Sequence, residues 1–170
     1  MSFKNTSYTK SEIEIIKKAA KVKSISVAQE SFLAIVNKIY LFDGISNRDQ
    51  IVRMTNNVSF KKYAKGEVVF NEGQKSKDIY FVLAGEVAVV LPQLKNKVVA
   101  KIIGGNMFGE MAFITDEPRS ATVVVNKEPT TIIKFGIDTD KHNDMFSYPF
   151  SMLYKNIALD LTRKIQANNR

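Results

Sequence analysis

Glu110 and Arg119 stand nine residues apart in the stretch FGEMAFITDEPRSATVVV, Phe108 to Val125, each beside small residues that expose backbone. A carboxylate and a guanidinium at such spacing more often make a surface ion pair than a ligand site. The surroundings here point the other way. Gly109 has no side chain, and Glu110 to Phe113 can open a helical turn whose free amides would present an anion site. Arg119 adds a forked donor set suited to phosphate. Glu110 would repel a bare anion, so the ligand should also carry a donor, and a sugar hydroxyl is one. A cyclic 3′,5′-nucleotide has a singly charged phosphate close to a free 2′-hydroxyl. The amides and Arg119 would take the phosphate, and Glu110 the hydroxyl.

Other elements must hold these residues in place. Ser11 and Glu14 fit a capping box, and Ile13, Ile16, Ala19 and Ala20 follow at helical spacing, which predicts a helix over 11–23. Ser24 or Ser26 would cap a second helix carrying the stripe Phe32, Ile35, Val36 and Ile39 and ending at Asp43-Gly44. Ser46-Asn47-Arg48-Asp49 would open a short third helix through Met54. From Val58 the pattern changes to β-prone runs: SFKKYA, EVVF, IYFVLA, EVAVVL, VVAKII, ATVVV and TTIIKF, with Gly66, Gly73, Gly85, Pro92, Gly104-Gly105 and Pro129 between them. Seven or eight strands without crossover helices predict an antiparallel sandwich or barrel. After Gly136 helix returns, with a short one over Asp138 to Met145 and a longer one from Pro149. The longer helix carries the stripe Phe150, Leu153, Tyr154, Ile157, Leu161 and Ile165, of which Phe150 and Leu153 are expected in the core.

With those elements in view, the opening stretch resembles the phosphate-binding cassette of the cyclic nucleotide-binding domain family, which includes the catabolite activator protein, protein kinase regulatory subunits and cyclic-nucleotide-gated channels. Phe108-Gly109-Glu110-Met111-Ala112-Phe113, five spacer residues and Arg119-Ser120-Ala121-Thr122-Val123 follow the family pattern. Upstream, VVFNEGQKSKDIYFVLAG, Val68 to Gly85, resembles the family's other signature, with Gly73 and Gly85 in place. Ser76 departs from the family's usual Gly, Ala or Cys, and Phe113 from its commoner aliphatic residue; neither is expected to touch the ligand.

The resemblance, covering roughly Leu41 to Arg170, implies a mainly β, α+β fold. An antiparallel β-roll of about eight strands would be flanked by N-terminal helices and by two C-terminal helices. It divides the chain into a helical extension over 1–44 and a binding domain over 45–170, with the roll at about 58–136 and lid helices at 137–168. It assigns the phosphate to Gly109, Met111, Ala112, Arg119, Ser120 and Ala121, and the ribose to Glu110. Base contacts would come from the roll wall and the lid, with Val99, Ile102, Phe108, Tyr154, Ile157 and Leu161 as candidates. The expected ligand is cyclic AMP ahead of cyclic GMP, although a hydroxyl residue after the arginine occurs with both. The expected role is a sensor whose C-terminal helix moves on binding and changes contacts with an effector protein or a second copy. The alternative is a scaffold or dimerisation protein that keeps the fold without binding nucleotide.

Composition narrows the other classes. The chain has 170 residues, no cysteine and one histidine, His142, so thiolate metal ligation and disulfides are excluded and a metal-dependent phosphodiesterase site is not expected. No nucleophile stands with a base at recognisable spacing, and no catalytic role is expected. The net charge of +8 sits at the two ends: residues 1–40 contribute +4, residues 141–170 contribute +3, and the hundred between contribute +1. Lysines spread along helix faces solvate them, so nucleic acid is not an expected partner. No apolar run has membrane length and no signal peptide is evident, so a cytoplasmic protein without membrane association is expected. With the expected lid helix reaching the last residues, any output domain is expected on another chain.

Overall fold

A computed structural model describes residues 8–19, 25–139 and 148–168. Three helices come first: α1 (Lys10–Ala19), α2 (Ile25–Ile35) and α3 (Arg48–Met54). The capping box of α1 lies two residues earlier than expected. Thr9 N donates to Glu12 Oε2 at 2.7 Å, and Glu12 N donates to Thr9 Oγ1 at 3.3 Å. Lys38 settles this register from outside the helix, because its Nζ pairs with the same carboxylate at 2.7 Å. Helix α3 starts as expected, with Asn47 Oδ1 accepting from Asp49 N at 2.9 Å.

Helix α2 ends earlier than its apolar stripe suggests. Two 3₁₀ turns, Val36–Lys38 and Tyr40–Phe42, continue the chain instead. Phe32, Ile35, Val36, Ile39, Leu41 and Phe42 are all buried, too many for one helix face. Asn156 then fixes the turn by donating to Leu41 O at 2.9 Å and Asp43 O at 2.8 Å.

Six strands follow among the described residues: β1 (Thr55–Tyr63), β2 (Val68–Phe70), β3 (Ile79–Leu91), β4 (Lys97–Ile103), β5 (Met107–Phe108) and β6 (Thr122–Ile137). They form one antiparallel sheet in the order β1-β6-β3-β4, with β2 added to β6 and β5 to β3. The expected count of about eight is lowered because two pairs of runs fuse. IYFVLA and EVAVVL are one strand, bent at Gly85 but still paired to β6 on both sides of the bend. ATVVV and TTIIKF are likewise the two ends of β6. Gly85 has φ +93°, and a Cβ there would collide with Thr130, so the bend needs glycine.

Successive residues of a strand face opposite sides, and both faces of β3 are covered from Ile79 to Leu83. Ile79, Phe81 and Leu83 pack on the helix side with Phe32, Leu41, Phe135, Phe150 and Leu153. Tyr80 and Val82 face the roll interior with Phe70, Val87, Phe108, Val123, Val125 and Ile132.

The cassette helix α4 (Glu110–Thr115) and the C-terminal helix α5 (Tyr148–Asn168) complete the fold. Pro149 lies in the first turn of α5, and Phe150 and Leu153 are buried as expected. The short helix expected over Asp138 to Met145 and His142 fall largely outside the described residues, and Asp138 and Thr139 are not helical. No helix among the described residues is long and apolar enough to cross a membrane.

Candidate functional site

Arg119 lies in the roll interior and is 3% exposed. The signature glycine upstream helps place it: Gly73 N donates to Arg119 O at 2.8 Å, and Arg119 N donates to Gln74 O at 3.0 Å. Gly73 has φ +78°, so the turn that makes this clip favours glycine. The two motifs of the sequence therefore meet as one backbone pair.

The Arg119 side chain is held by neutral groups. Nη1 donates to Gly109 O at 2.6 Å, and Nη2 donates to Asp78 O at 2.6 Å and to Ser76 Oγ at 3.3 Å. The guanidinium carbon sits 4.4 Å from the centre of the Phe70 ring and 5.4 Å from that of Tyr80, both within cation–π reach. Phe70, Tyr80 and Phe108 pack on one another at 5.1 to 5.9 Å, so the rings beneath the guanidinium form one continuous platform. Burial pulls the Arg119 pKa below its ordinary value, opposed by nearby Tyr80 and Asp78. Nε is buried and has no hydrogen-bond partner among the described residues.

Gly109 links this side chain to α4. It has φ +82° at the helix N-cap, and a Cβ there would lie 2.8 Å from Arg119 Nη1. Any larger residue would strain the backbone and push the guanidinium away.

Glu110 is also 3% exposed, but its partners come from the helices. Its Oε1 pairs with Lys164 Nζ of α5 at 2.6 Å. Lys164 also donates to Met107 O at 2.8 Å and forms an ion pair with Asp160 Oδ2 at 2.7 Å. Tyr40 donates to Asp160 Oδ1 at 2.6 Å and accepts from Met107 N at 3.2 Å. Burial, reinforced by Asp160, raises the Tyr40 pKa well above its ordinary value, so this hydroxyl stays a donor. Glu110 Oε2 is buried without a hydrogen bond.

The other expected site residues divide between the two faces. Met111 and Ser120 are exposed, while Ala112 and Ala121 are buried. Phe108 and Ile102 belong to the roll-interior cluster, Phe108 at its centre and Ile102 at its edge, and Val99 is exposed on β4. Tyr154, Ile157 and Leu161 belong to the helix side, with Ile157 fully buried. Tyr154 stacks on Phe113 of the cassette at 5.9 Å, and Ser76 binds the guanidinium. The two departures from the family pattern thus both touch residues assigned to the site.

Sequence reading missed Lys164, Asp160, Tyr40, Asp78 and the Phe70–Tyr80 platform. One signal was present: Asn156, Asp160 and Lys164 recur every four residues, a polar line beside the apolar stripe of α5. Each of the three takes a partner from another element.

The chain is similar to known proteins in sequence and in fold. Residues 60–141 match the family described as the cyclic nucleotide-binding domain. A cGMP-dependent protein kinase of Eimeria tenella is 35% identical over 85 residues, which is 50% of this chain and 8% of that protein. A cAMP-dependent protein kinase regulatory subunit of Mycosarcoma maydis is 29% identical over 84 residues, 49% of this chain and 16% of that one. The chain thus spans a small part of these curated relatives. Among solved structures, a cyclic nucleotide-binding domain from Methylobacillus flagellatus superposes with a TM-score of 0.62 at 19% identity, covering 83% of this chain and 82% of that one. The catabolite activator protein of Thermus thermophilus gives 0.57 at 22% identity, over 76% and 60%. Both sequence signatures thus meet at one cassette with the β-roll around it, and residues 60–141 carry the match to the cyclic nucleotide-binding domain family, whose solved members share this fold.

Proposed function

We propose that the chain binds a cyclic 3′,5′-nucleotide in the cassette, with Arg119 on the phosphate and Glu110 on the ribose 2′-hydroxyl, and acts as a regulatory module without catalysis of its own. One observation carries this reading. Each end of the cassette keeps one buried polar atom without a hydrogen bond, the donor Arg119 Nε and the acceptor Glu110 Oε2. A buried polar atom left so costs about 1–3 kcal/mol, more for a charged group. A bare anion would satisfy only the first and a neutral sugar only the second, whereas a cyclic nucleotide offers an acceptor and a donor on one small frame.

The names of the relatives point to the same ligand class, and they divide between cGMP and cAMP. Cyclic AMP is the first ligand proposed and cyclic GMP the second. The output partner is another protein or a second copy, reached through α5, because α5 touches the cassette through both Lys164 and Tyr154.

Calorimetric titration of the purified protein with cyclic AMP and cyclic GMP tests the reading. Saturable binding to either is expected, and no heat at about 1 mM ligand, a Kd bound worth about 4 kcal/mol, would sink it. A second reading, a scaffold that keeps the fold but binds no nucleotide, draws on the same side chain: both Nη atoms of Arg119 already bond protein oxygens. The same titration separates the two.

A further inference from the structure

We infer that Lys164 is a positioning residue for the ribose end of the site, setting which Glu110 oxygen meets the ligand and making the site demand a ligand hydroxyl. The inference rests on the nucleotide-binding reading above.

It follows from where each hydrogen goes. The Lys164 ammonium has three N–H donors, and three oxygens surround it: Glu110 Oε1, Asp160 Oδ2 and Met107 O, all within 2.8 Å. The Tyr40 hydroxyl gives its single hydrogen to Asp160 Oδ1 and takes one from Met107 N. Two of the ammonium's contacts are hydrogen bonds, to Glu110 Oε1 and Met107 O, and the third, to Asp160 Oδ2, is an ion pair. Of the cluster's acceptors, Asp160 Oδ2 has the ion pair but no hydrogen bond, and Glu110 Oε2 alone has neither among the described residues.

Charge points the same way. Two buried carboxylates, Glu110 and Asp160, share one partly exposed ammonium, so the cluster holds more negative than positive charge. A buried excess of this sign favours a neutral donor at the open oxygen and disfavours a further anion. A hydroxyl meets that requirement. With Oε1 held by Lys164, the carboxylate cannot turn to offer its other oxygen without breaking the ion pair. The site then discriminates by geometry fixed in advance, and a ligand lacking the hydroxyl leaves a buried acceptor unpaired.

Lys164 acts only through Glu110, so the test needs a readout that simple loss of stability would not move. That readout is the ratio of affinities for a cyclic nucleotide and its 2′-deoxy analogue, measured by calorimetry on wild type, Lys164→Met, Lys164→Arg and Asp160→Asn. The wild type is expected to prefer the hydroxyl ligand by about 10-fold or more, as suits a hydrogen bond to a charged group. Lys164→Met should bring the ratio to within about 3-fold of unity by weakening the hydroxyl ligand alone, and Lys164→Arg should restore most of it. Asp160→Asn, which loosens Lys164 while keeping the side-chain shape, should fall between and serves if Lys164→Met does not fold. An unchanged ratio in Lys164→Met, or in Asp160→Asn where only that variant folds, overturns the inference while leaving nucleotide binding intact. Equal affinity of the wild type for both ligands overturns it as well. A wild type that binds neither ligand overturns the nucleotide reading first and this inference with it.

Discussion

Arg119 and Glu110 end one cassette and are equally buried, yet they are held in different ways. Arg119 belongs to the roll interior, where two backbone carbonyls, a serine hydroxyl and two aromatic rings surround it. Glu110 belongs to the helix side, where an ammonium, a second carboxylate and a tyrosine from two distant segments converge. A cation whose hydrogen bonds go to neutral oxygens, with no direct ion pair among the described residues, keeps much of its appetite for an anion. A carboxylate already paired with a lysine keeps only one oxygen to offer. On the proposed reading, the arginine end therefore supplies most of the affinity, and the glutamate end supplies selectivity and a mechanical link to α5.

The sharpest break is Arg119→Ala. It removes the buried guanidinium at that end and strands the carbonyls of Gly109 and Asp78, so nucleotide affinity should fall by about 100-fold or more and stability by about 2–4 kcal/mol. Calorimetry and urea unfolding would measure the two losses, and an unchanged affinity would return Arg119 to a purely structural role. Glu110→Gln should weaken binding less, by about 10-fold, because the amide keeps an oxygen for Lys164 and loses the charged acceptor. If both substitutions cost the same affinity, the division between the two ends is wrong.

Phe70→Leu probes the platform. It preserves much of the volume and removes one cation–π face, which predicts a loss of about 0.5–2 kcal/mol in stability and a few-fold in affinity. Tyr40→Phe should leave affinity for the hydroxyl ligand within about 3-fold while lowering stability by about 1–2 kcal/mol, since Asp160 and the Met107 amide both lose a buried partner. A large affinity loss there would mean that the junction between the Tyr40–Phe42 turn and α5 acts on the ligand more directly than Glu110 does.

How much of this could be read in the chain differs from element to element. The cassette was legible because its parts are adjacent in sequence: a glycine, a carboxylate, an apolar turn and an arginine with spacing set by one short helix. The helix cap at Asn47 and the buried stripe of α5 were legible for the same reason, being local or periodic. Strand number was not, because hydrogen-bond ladders, unlike turn residues, decide whether a glycine ends a strand or only bends it. The cap of α1 moved from Ser11 to Thr9 for a similar cause, since Lys38 reaches Glu12 from another helical segment. The second helix stopped early because carbonyls of the turns after it are bound by Asn156, more than a hundred residues away.

By itself the sequence determined the cassette, the glycines that let it turn, the β-rich middle and the two helical flanks, because each depends on residues a few positions apart. Only the tertiary structure decided what lies around the two charged ends. Lys164 is 54 residues from Glu110, and Tyr40 is 120 residues from Asp160. Such contacts follow from how the roll and the helices close on one another, and burial makes them matter, since a charge removed from water depends on the few groups that touch it.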